Sequence, residues 1–223
     1  ALAEARAHVT LAARTKSEIE EAADTILSEG GSADAIVLDM LDTAAVKDAV
    51  AAAKPFDILI NNAGTNRPKT MADTTEEDFD AILDLNLRAA YFVTQAVTNK
   101  MLAAKIQGSV INISSQMGHV GGPLRTVYCS SKWPVEGFTK SLAMELGPHG
   151  IRVNSIAPTV IETPLAKEML KDSEFRNAVI SKIKLGRIGE VEDLMGAIVF
   201  LASDAARMIT GASLLIDGGW TIG

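Results

Sequence analysis

The segment FDILINNAG, residues 56–64, places a run of mostly apolar residues directly before an Asn-Asn-Ala-Gly turn. The apolar residues follow one another without strict alternation, which is typical of a strand covered on both faces. Five other segments have the same character, and helical patterns separate them. This repetition of strand and helix predicts right-handed crossovers and a parallel sheet. The expected strands cover residues 8–13, 35–39, 56–62, 109–114, 151–157 and 212–216.

Helical periodicity fills the intervals between these strands. The first helix is expected to begin at a capping box of Ser17 and Glu20. Further helices are expected over residues 43–53, 75–84, 87–105, 127–146 and 190–203. We predict an α/β fold with a Rossmann-type doubly wound parallel sheet in three α/β/α layers, as a single domain over residues 1–223. Residues 159–189 are the least regular segment, and we expect them to form a substrate lid.

Composition and charge narrow the class of protein. Of the 223 residues, 48% are hydrophobic and 22% are charged, and the net charge is −7. This acidic balance argues against nonspecific binding to nucleic acid, which needs a basic surface. No apolar run reaches the length of a membrane span, the first residues lack the apolar core of a signal peptide, and Cys129 is the only cysteine. We expect a soluble cytoplasmic protein with no nucleic-acid partner, no membrane partner and no metal site.

The predicted topology locates a site before any motif is considered. In a doubly wound sheet, ligands bind beyond the carboxyl ends of the strands, near the point where the strand order reverses. The residues that follow each strand are therefore candidates. They are residues 13–14, 39–40, 61–64, 114–115 and 157–163.

Six short motifs occur in order at the ends of these elements. They are NNAG (61–64), Asn86 in LDLNLRAAY, NISS (112–115), Tyr-x-x-x-Lys (128–132), RVNSIAP (152–158) and TGASLLIDGG (210–219). Each alone is weak, because a Tyr and a Lys four residues apart share one face of many ordinary helices. In combination they make the whole chain resemble the short-chain dehydrogenase/reductase family, and within it the 3-oxoacyl-carrier-protein reductases.

The resemblance implies an oxidoreductase that transfers a hydride between a nicotinamide and a carbonyl or secondary alcohol. By the family's pattern, Tyr128 gives or takes the proton, and Lys132 lowers the pKa of that phenol and hydrogen-bonds the nicotinamide ribose. Ser115 matches the residue that hydrogen-bonds the substrate oxygen, whereas Ser114 should point the other way along the strand. Asn86 matches the residue that holds a water beside the lysine. The implied catalytic set is Asn86, Ser115, Tyr128 and Lys132, and the implied substrate contacts are Ser115, Gln116 and Tyr128.

The implied cofactor is a nicotinamide dinucleotide, with NADP(H) favoured over NAD(H). NAD-selective members place an acidic residue after the second strand of the family fold to bind the ribose hydroxyls. Ala13 stands at that position, and the adjacent Arg14 can pair with a 2′-phosphate. The other cofactor contacts that the resemblance implies are Asp39, Met40, Asn61, Ala63, Gly64, Tyr128, Lys132, Pro158, Ile161 and Thr163.

The sequence departs from the family pattern in three places. The strand and glycine-rich turn with which the family begins are absent from it, and we expect them to precede residue 1 in the working protein. Thr159 stands where the family usually has Gly. Pro134 lies inside the expected catalytic helix, where we predict a kink that leaves Tyr128 and Lys132 usable because both precede it.

Several functional readings remain open at this point. A 3-oxoacyl-carrier-protein reductase would use Arg67, Lys69 and Arg125 to face an acidic carrier protein, whereas sugars and polyols are equally open as small-molecule substrates. A non-enzymatic nucleotide sensor is a second class, against which the complete catalytic set argues. The resemblance also implies a homotetramer or homodimer, with helices 87–105 and 127–146 in one interface.

Overall fold

Parallel strands and α-helices alternate along the chain, as the sequence predicts. The computed structural model describes the backbone of residues 1–223 and all side chains except those of residues 164 and 165. The strands are β1 (His8–Ala13), β2 (Ser32–Val37), β3 (Ile58–Asn61), β4 (Ser109–Ile113), β5 (Arg152–Pro158) and β6 (Ser213–Ile216). The helices are α1 (Lys16–Ser28), α2 (Thr43–Ala52), α3 (Glu76–Leu83), α4 (Ala90–Ala104), α5 (Thr126–Leu146), α6 (Pro164–Leu170), α7 (Ser173–Lys182) and α8 (Glu192–Ala202).

The strands form two parallel groups. One consists of β1 and β2, and the other has the order β3-β4-β5-β6. The two groups are not hydrogen-bonded to each other within the described residues. Between them lies a cavity of about 440 Å³, lined by Val9 of β1 and Ile60 of β3 among others. The connections between parallel strands carry the helices, and the predicted α/β class with a Rossmann-type parallel sheet is confirmed.

Two hydrophobic cores cover opposite faces of the larger sheet. On one face, Val110 of β4 packs with Val97 and Met101 of α4. On the other face, Ile111 of β4 packs with Leu201 of α8. Because successive strand residues point to opposite faces, adjacent residues of β4 serve different cores. Fully burying each such side chain contributes roughly 1.5–3 kcal/mol, and together they fix the helices against the sheet in three layers.

The start of the first helix differs from the prediction. The helix begins at Lys16, with Thr15 as its N-cap, and no side chain caps it. The capping box of Ser17 and Glu20 is therefore wrong, since Ser17 already lies inside the first turn. In α3, by contrast, Thr75 and Asp78 form a complete capping box.

The segment 159–189 contains more regular structure than the sequence predicts. It holds α6 and α7 between β5 and α8. Its two ends are joined by a parallel bridge between Ile161 and Gly189, and the backbone N–H of Glu162 donates to the Gly189 carbonyl at 2.8 Å. The two ends of this segment are thus hydrogen-bonded to each other, and we call it the closed segment. In the described part of the chain, no helix combines the length and the apolar character that crossing a membrane requires.

Candidate active site

The residues of the predicted catalytic set meet at the carboxyl end of β4. Ser115 follows β4 directly, and Tyr128 and Lys132 lie on successive turns of α5. Helix α5 is held over the sheet by buried hydrogen bonds, from Asn112 of β4 to Thr139 at 2.9 Å and from Ser155 of β5 to the Glu136 carboxylate at 2.7 Å. These contacts place the first half of α5 beside the strand ends.

Helix α5 runs without interruption from Thr126 to Leu146, although Pro134 lies inside it. Tyr128 and Lys132 both precede the proline and share one continuous helix with it. The missing N–H of Pro134 leaves the pair itself untouched, because only the carbonyl four residues earlier, that of Ser130, loses a partner.

Lys132 is buried and points across the strand ends. Its ammonium donates a 2.9 Å hydrogen bond to the Ile113 carbonyl and lies 5.8 Å from the centroid of the Tyr128 ring. Burial lowers the pKa of Lys132 from its usual 10.5 to about 8, and the negative charge of Glu136 opposes that fall. At neutral pH the side chain is therefore still mostly charged.

The pKa of Tyr128 differs from the expectation that Lys132 would lower it. Burial raises the pKa of the phenol above its usual value, while the neighbouring Ser115 hydroxyl and the Arg125 guanidinium oppose that rise. The prediction of a lowered pKa is wrong for this structure, because desolvation outweighs the nearby groups that favour the phenolate. The hydroxyl accordingly keeps its proton at neutral pH.

Asn86 lies in a π-helical turn, Asp84–Ala89, between α3 and α4. Its side-chain amide donates to the Thr65 carbonyl and to the Ser131 hydroxyl, each at 2.9 Å, and its oxygen accepts from the Thr65 N–H at 2.7 Å. Ser131 in turn donates to the Tyr128 carbonyl at 2.7 Å. The side chain of Asn86 therefore joins the loop after β3 to α5. Wide helical turns of this kind are frequent at functional sites.

Ser115 and Gln116 form a buried polar pair at the end of β4. The Ser115 hydroxyl donates to the Gln116 side-chain oxygen at 2.7 Å and accepts from the Met117 N–H at 3.1 Å. Ser114 is also buried, and its hydroxyl has no partner among the described residues.

Three observations test whether a nicotinamide dinucleotide fits beside this set. A Cβ atom at Gly64 would lie 3.2 Å from the Asn86 side-chain oxygen and 3.7 Å from the Lys132 ammonium, so glycine keeps the approach to the lysine open. At the end of β5, the buried hydroxyl of Thr159 has no partner among the described residues. The lysine also has three N–H donors, of which the Ile113 carbonyl takes one. Unused donors and acceptors thus border an open edge, which fits a hydroxylated, amide-bearing ligand.

Several other predicted cofactor residues already form hydrogen bonds or backbone contacts within the protein. The Asn61 amide donates to Thr94 and Asn112, each at 2.7 Å. Asp39 accepts from the Leu41 N–H at 2.9 Å, and Thr163 caps α6 through the Ala166 N–H at 3.2 Å. Pro158 ends β5, and Ile161 forms the bridge with Gly189. The structure brings Met40, Ala63 and Gly64 to loops that follow β2 and β3.

Comparison with known proteins identifies the family. A family model described as enoyl-(acyl carrier protein) reductase matches residues 1–221. The chain belongs to the short-chain dehydrogenase/reductase family. Among its relatives, D-erythrulose reductase of Gallus gallus is 37% identical over 100% of this chain and 89% of its own length. L-Rhamnose 1-dehydrogenase (NAD(P)(+)) of Azotobacter vinelandii is 41% identical over 88% of this chain and 78% of its own length.

A solved structure of the same short-chain dehydrogenase/reductase family matches the fold closely. The gluconate 5-dehydrogenase of Burkholderia cenocepacia in complex with NADP and tartrate has a TM-score of 0.95 and is 33% identical. The match covers 100% of this chain and 88% of that one. The predicted enzyme class is confirmed: the protein is an NAD(P)-dependent oxidoreductase that interconverts a carbonyl and an alcohol.

Two buried residues of this short-chain dehydrogenase/reductase were not singled out from the sequence. Glu136 lies one turn after Lys132 on the same helix, and Ser131 links Asn86 to Tyr128. One Glu136 oxygen accepts from Ser155, and the other lies 3.4 Å from the His119 ring nitrogen. The spacing of four residues from Lys132 is the signal that could have marked Glu136.

Proposed function

We propose that the protein is an NADP(H)-dependent reductase of small polyhydroxylated ketones, with Tyr128, Ser115, Lys132 and Asn86 as its catalytic set. The observation that carries the proposal is the convergence of these side chains at the carboxyl end of β4. When bound, NADPH would supply a hydride to the carbonyl carbon and would itself be oxidised to NADP⁺. Tyr128 would donate its hydroxyl proton to the carbonyl oxygen, which becomes the alcohol oxygen.

The state of Tyr128 favours reduction as the working direction. A phenol whose pKa is raised by burial is protonated at neutral pH and is ready to donate. As the carbonyl oxygen gains negative charge, the Ser115 hydroxyl can turn from Gln116 and hydrogen-bond it. The charged Lys132 stabilises the phenolate that remains after proton transfer and so offsets the burial that opposes deprotonation in the resting site.

The cofactor preference rests on the end of β1. Arg14 is exposed and forms no ion pair within the described residues, and Ala13 offers no carboxylate for a ribose hydroxyl pair. A free guanidinium at this edge suits the 2′-phosphate of NADP(H). Binding of the remainder of the cofactor would involve Asp39, Met40, Asn61, Ala63, Gly64, Tyr128, Lys132, Pro158, Ile161 and Thr163.

A small substrate is supported over one carried on an acidic protein. Arg67 pairs with Glu77 and Asp78, and Lys69 pairs with Asp78 at 2.5 Å. These cations are therefore already neutralised within the fold and offer little to an acidic carrier protein. The relatives named above act on small sugars and sugar derivatives by their names, which supports a polyhydroxylated substrate.

We further propose that the closed segment 159–189 covers the substrate and that the protein works in the cytoplasm as a homotetramer or homodimer. Apolar side chains remain exposed on α4 and α5, including Tyr91 at 46%, Trp133 at 53% and Met144 at 81%. Association of subunits through these two helices would remove such apolar side chains from water. Light scattering coupled to gel filtration measures the assembly, and a monomer at micromolar concentration would contradict this assignment.

A substrate screen tests the proposed function. Consumption of NADPH is followed by absorbance with D-erythrulose, L-xylulose, D-fructose and simple aliphatic ketones. We expect turnover of polyhydroxylated ketones with NADPH and weaker turnover with NADH. Preferential reduction of a 3-oxoacyl thioester would instead support the carrier-protein reductase. Full activity in Tyr128→Phe would contradict the catalytic assignment.

A further inference from the structure

Arg125 occupies an unusual place among the arginines of the chain. It is the N-cap residue of α5, three residues before Tyr128, and its carbonyl accepts the Cys129 N–H at 2.7 Å. The preceding residue, Leu124, has a φ of 59°, in the left-handed region that a leucine rarely adopts. Backbone strain of this kind persists where surrounding structure or function requires it. The strained turn carries Arg125 to the start of the catalytic helix.

The burial of Arg125 separates it from most other arginines. Of the arginines that the structure describes, only Arg125 and Arg152 are partly buried, and the others are exposed. Burial lowers the pKa of both guanidinium groups from the usual value. Partial removal of a cation from water is unfavourable unless a partner compensates for it.

The two partly buried arginines differ in their partners. Arg152 donates from both terminal nitrogens, to the Leu201 carbonyl at 2.7 Å and to the Ser203 carbonyl at 3.2 Å. Arg125 makes one side-chain hydrogen bond, at 3.3 Å, to the carbonyl of the adjacent Leu124. No carboxylate among the described residues lies within 4 Å of it. A guanidinium has five N–H donors, so most of the donors of Arg125 are free of protein partners.

Arg125 lies close in sequence to the proposed proton donor, Tyr128, and its charge acts on that residue. Its positive charge acts on the Tyr128 phenol and opposes the rise of that pKa, so the two groups lie within electrostatic reach. A Cβ atom at Gly122 would lie 3.6 Å from Arg125 Cγ, and the absent side chain there leaves space along the loop before the helix. The free donors thus belong to a partly buried residue at the start of the helix that carries Tyr128, three residues before it.

We propose that Arg125 binds a carboxylate on the substrate, which makes the preferred substrate a keto acid of the sugar series rather than a neutral ketose. The inference rests on the proposed reduction of polyhydroxylated ketones and names the substrate class of that same site. A guanidinium matches a carboxylate with two parallel hydrogen bonds, and partial burial strengthens them. A neutral substrate leaves the same cation without a partner, so a site built this way discriminates against it.

The test uses substrates that differ at a single carbon. 2-Keto-D-gluconate and D-fructose share the ketone at C2 and the hydroxyl pattern, but C1 is a carboxylate in the first and a hydroxymethyl group in the second. We expect wild-type kcat/KM with NADPH to be about 10- to 100-fold higher for the keto acid. Arg125→Gln should lower kcat/KM for the keto acid by a similar factor and lower that for fructose far less. Arg125→Lys should retain part of the preference for the keto acid, because lysine keeps the positive charge but lacks the planar pair of N–H donors of a guanidinium.

Controls separate this inference from the proposed function. The exposed Arg207→Gln should leave both values unchanged, since Arg207 lies in the turn that follows α8. If Arg125→Gln fails to fold, inhibition of the wild type by D-gluconate and by D-sorbitol still tests the carboxylate, with gluconate expected to bind more tightly. Equal rates with both ketones, equal losses in Arg125→Gln, or a preference for D-fructose 6-phosphate would each overturn the inference and leave the proposed function in place. Reduction of none of these ketones, and of neither D-erythrulose nor L-xylulose, would overturn both.

Discussion

The ammonium of Lys132 lies 5.8 Å from the centroid of the Tyr128 ring, and both side chains project from α5 toward the end of β4. Lys132 is held there by a 2.9 Å hydrogen bond to the Ile113 carbonyl. Burial perturbs the pKa values of the pair in opposite senses, lowering that of the lysine and raising that of the tyrosine. Each shift disfavours the charged form of its group. The resting site therefore holds a protonated phenol and an ammonium group that loses its proton more easily than usual.

Tyr128→Phe should lower kcat by roughly 10²- to 10⁴-fold, because it removes the proton donor and little else. Binding of NADPH, followed by its fluorescence, should persist. Tyr91→Phe is a matched control, since Tyr91 is the other tyrosine of the chain and lies on the exposed face of α4. A Tyr128→Phe enzyme with near-normal turnover would remove Tyr128 from the mechanism.

Lys132→Met should abolish most activity and change how stability depends on pH. The fall in the lysine pKa from 10.5 to about 8 corresponds to about 3 kcal/mol of destabilisation at neutral pH. Between these two values the unfolded chain binds more protons than the folded chain, so wild-type stability rises with pH. Relative to Lys132→Met, we expect the wild-type free energy of unfolding to increase by about 2 kcal/mol from pH 7.5 to pH 10. Urea denaturation at both pH values measures this, and parallel behaviour of the two proteins would contradict the buried ammonium.

Glu136→Gln should shift the pH dependence of catalysis. The carboxylate opposes the burial that lowers the pKa of Lys132, so its removal should lower that pKa further. If the reaction needs the charged lysine, kcat/KM should decline above about pH 8 in the wild type and at lower pH in the variant. Glu145→Gln, an exposed acid on the same helix, is the control. If kcat/KM of Glu136→Gln declines at the same alkaline pH as that of the wild type, Glu136 does not act through Lys132.

Arg14→Gln should weaken the preference for NADPH. Loss of a charge-assisted contact to the 2′-phosphate predicts a rise in KM for NADPH of about 10- to 100-fold, with little change for NADH. Steady-state kinetics with both cofactors measure the ratio, and Arg207→Gln again serves as the control. The same NADPH-to-NADH ratio in wild type and Arg14→Gln would assign the selectivity to other residues.

Local patterns predicted the elements of the fold well, because strand and helix periodicity depends on neighbouring residues. The main difference in the sheet is β2, which was expected over residues 35–39 and covers Ser32–Val37. Its polar start pairs in register with β1, and the His8 ring contacts the side chains of Ser32 at 2.7 Å and Asp34 at 2.9 Å. Contacts across strands therefore decided this boundary, which hydrophobicity alone could not locate.

The residues of the candidate site likewise include some that the sequence selected and some that only the tertiary structure distinguished. The six ordered motifs, through the family resemblance that they carry, selected Ser115, Tyr128 and Lys132, and their positions at a strand end and on one face of a helix agree with that selection. The sequence could not distinguish Arg125 from Arg67 or Arg152, because these are chemically identical side chains. Only the fold gave Arg67 an ion pair, gave Arg152 two carbonyls and left Arg125 partly buried with one side-chain hydrogen bond. Burial and the choice of partner depend on segments distant in sequence, and they set the charge state on which the chemistry relies.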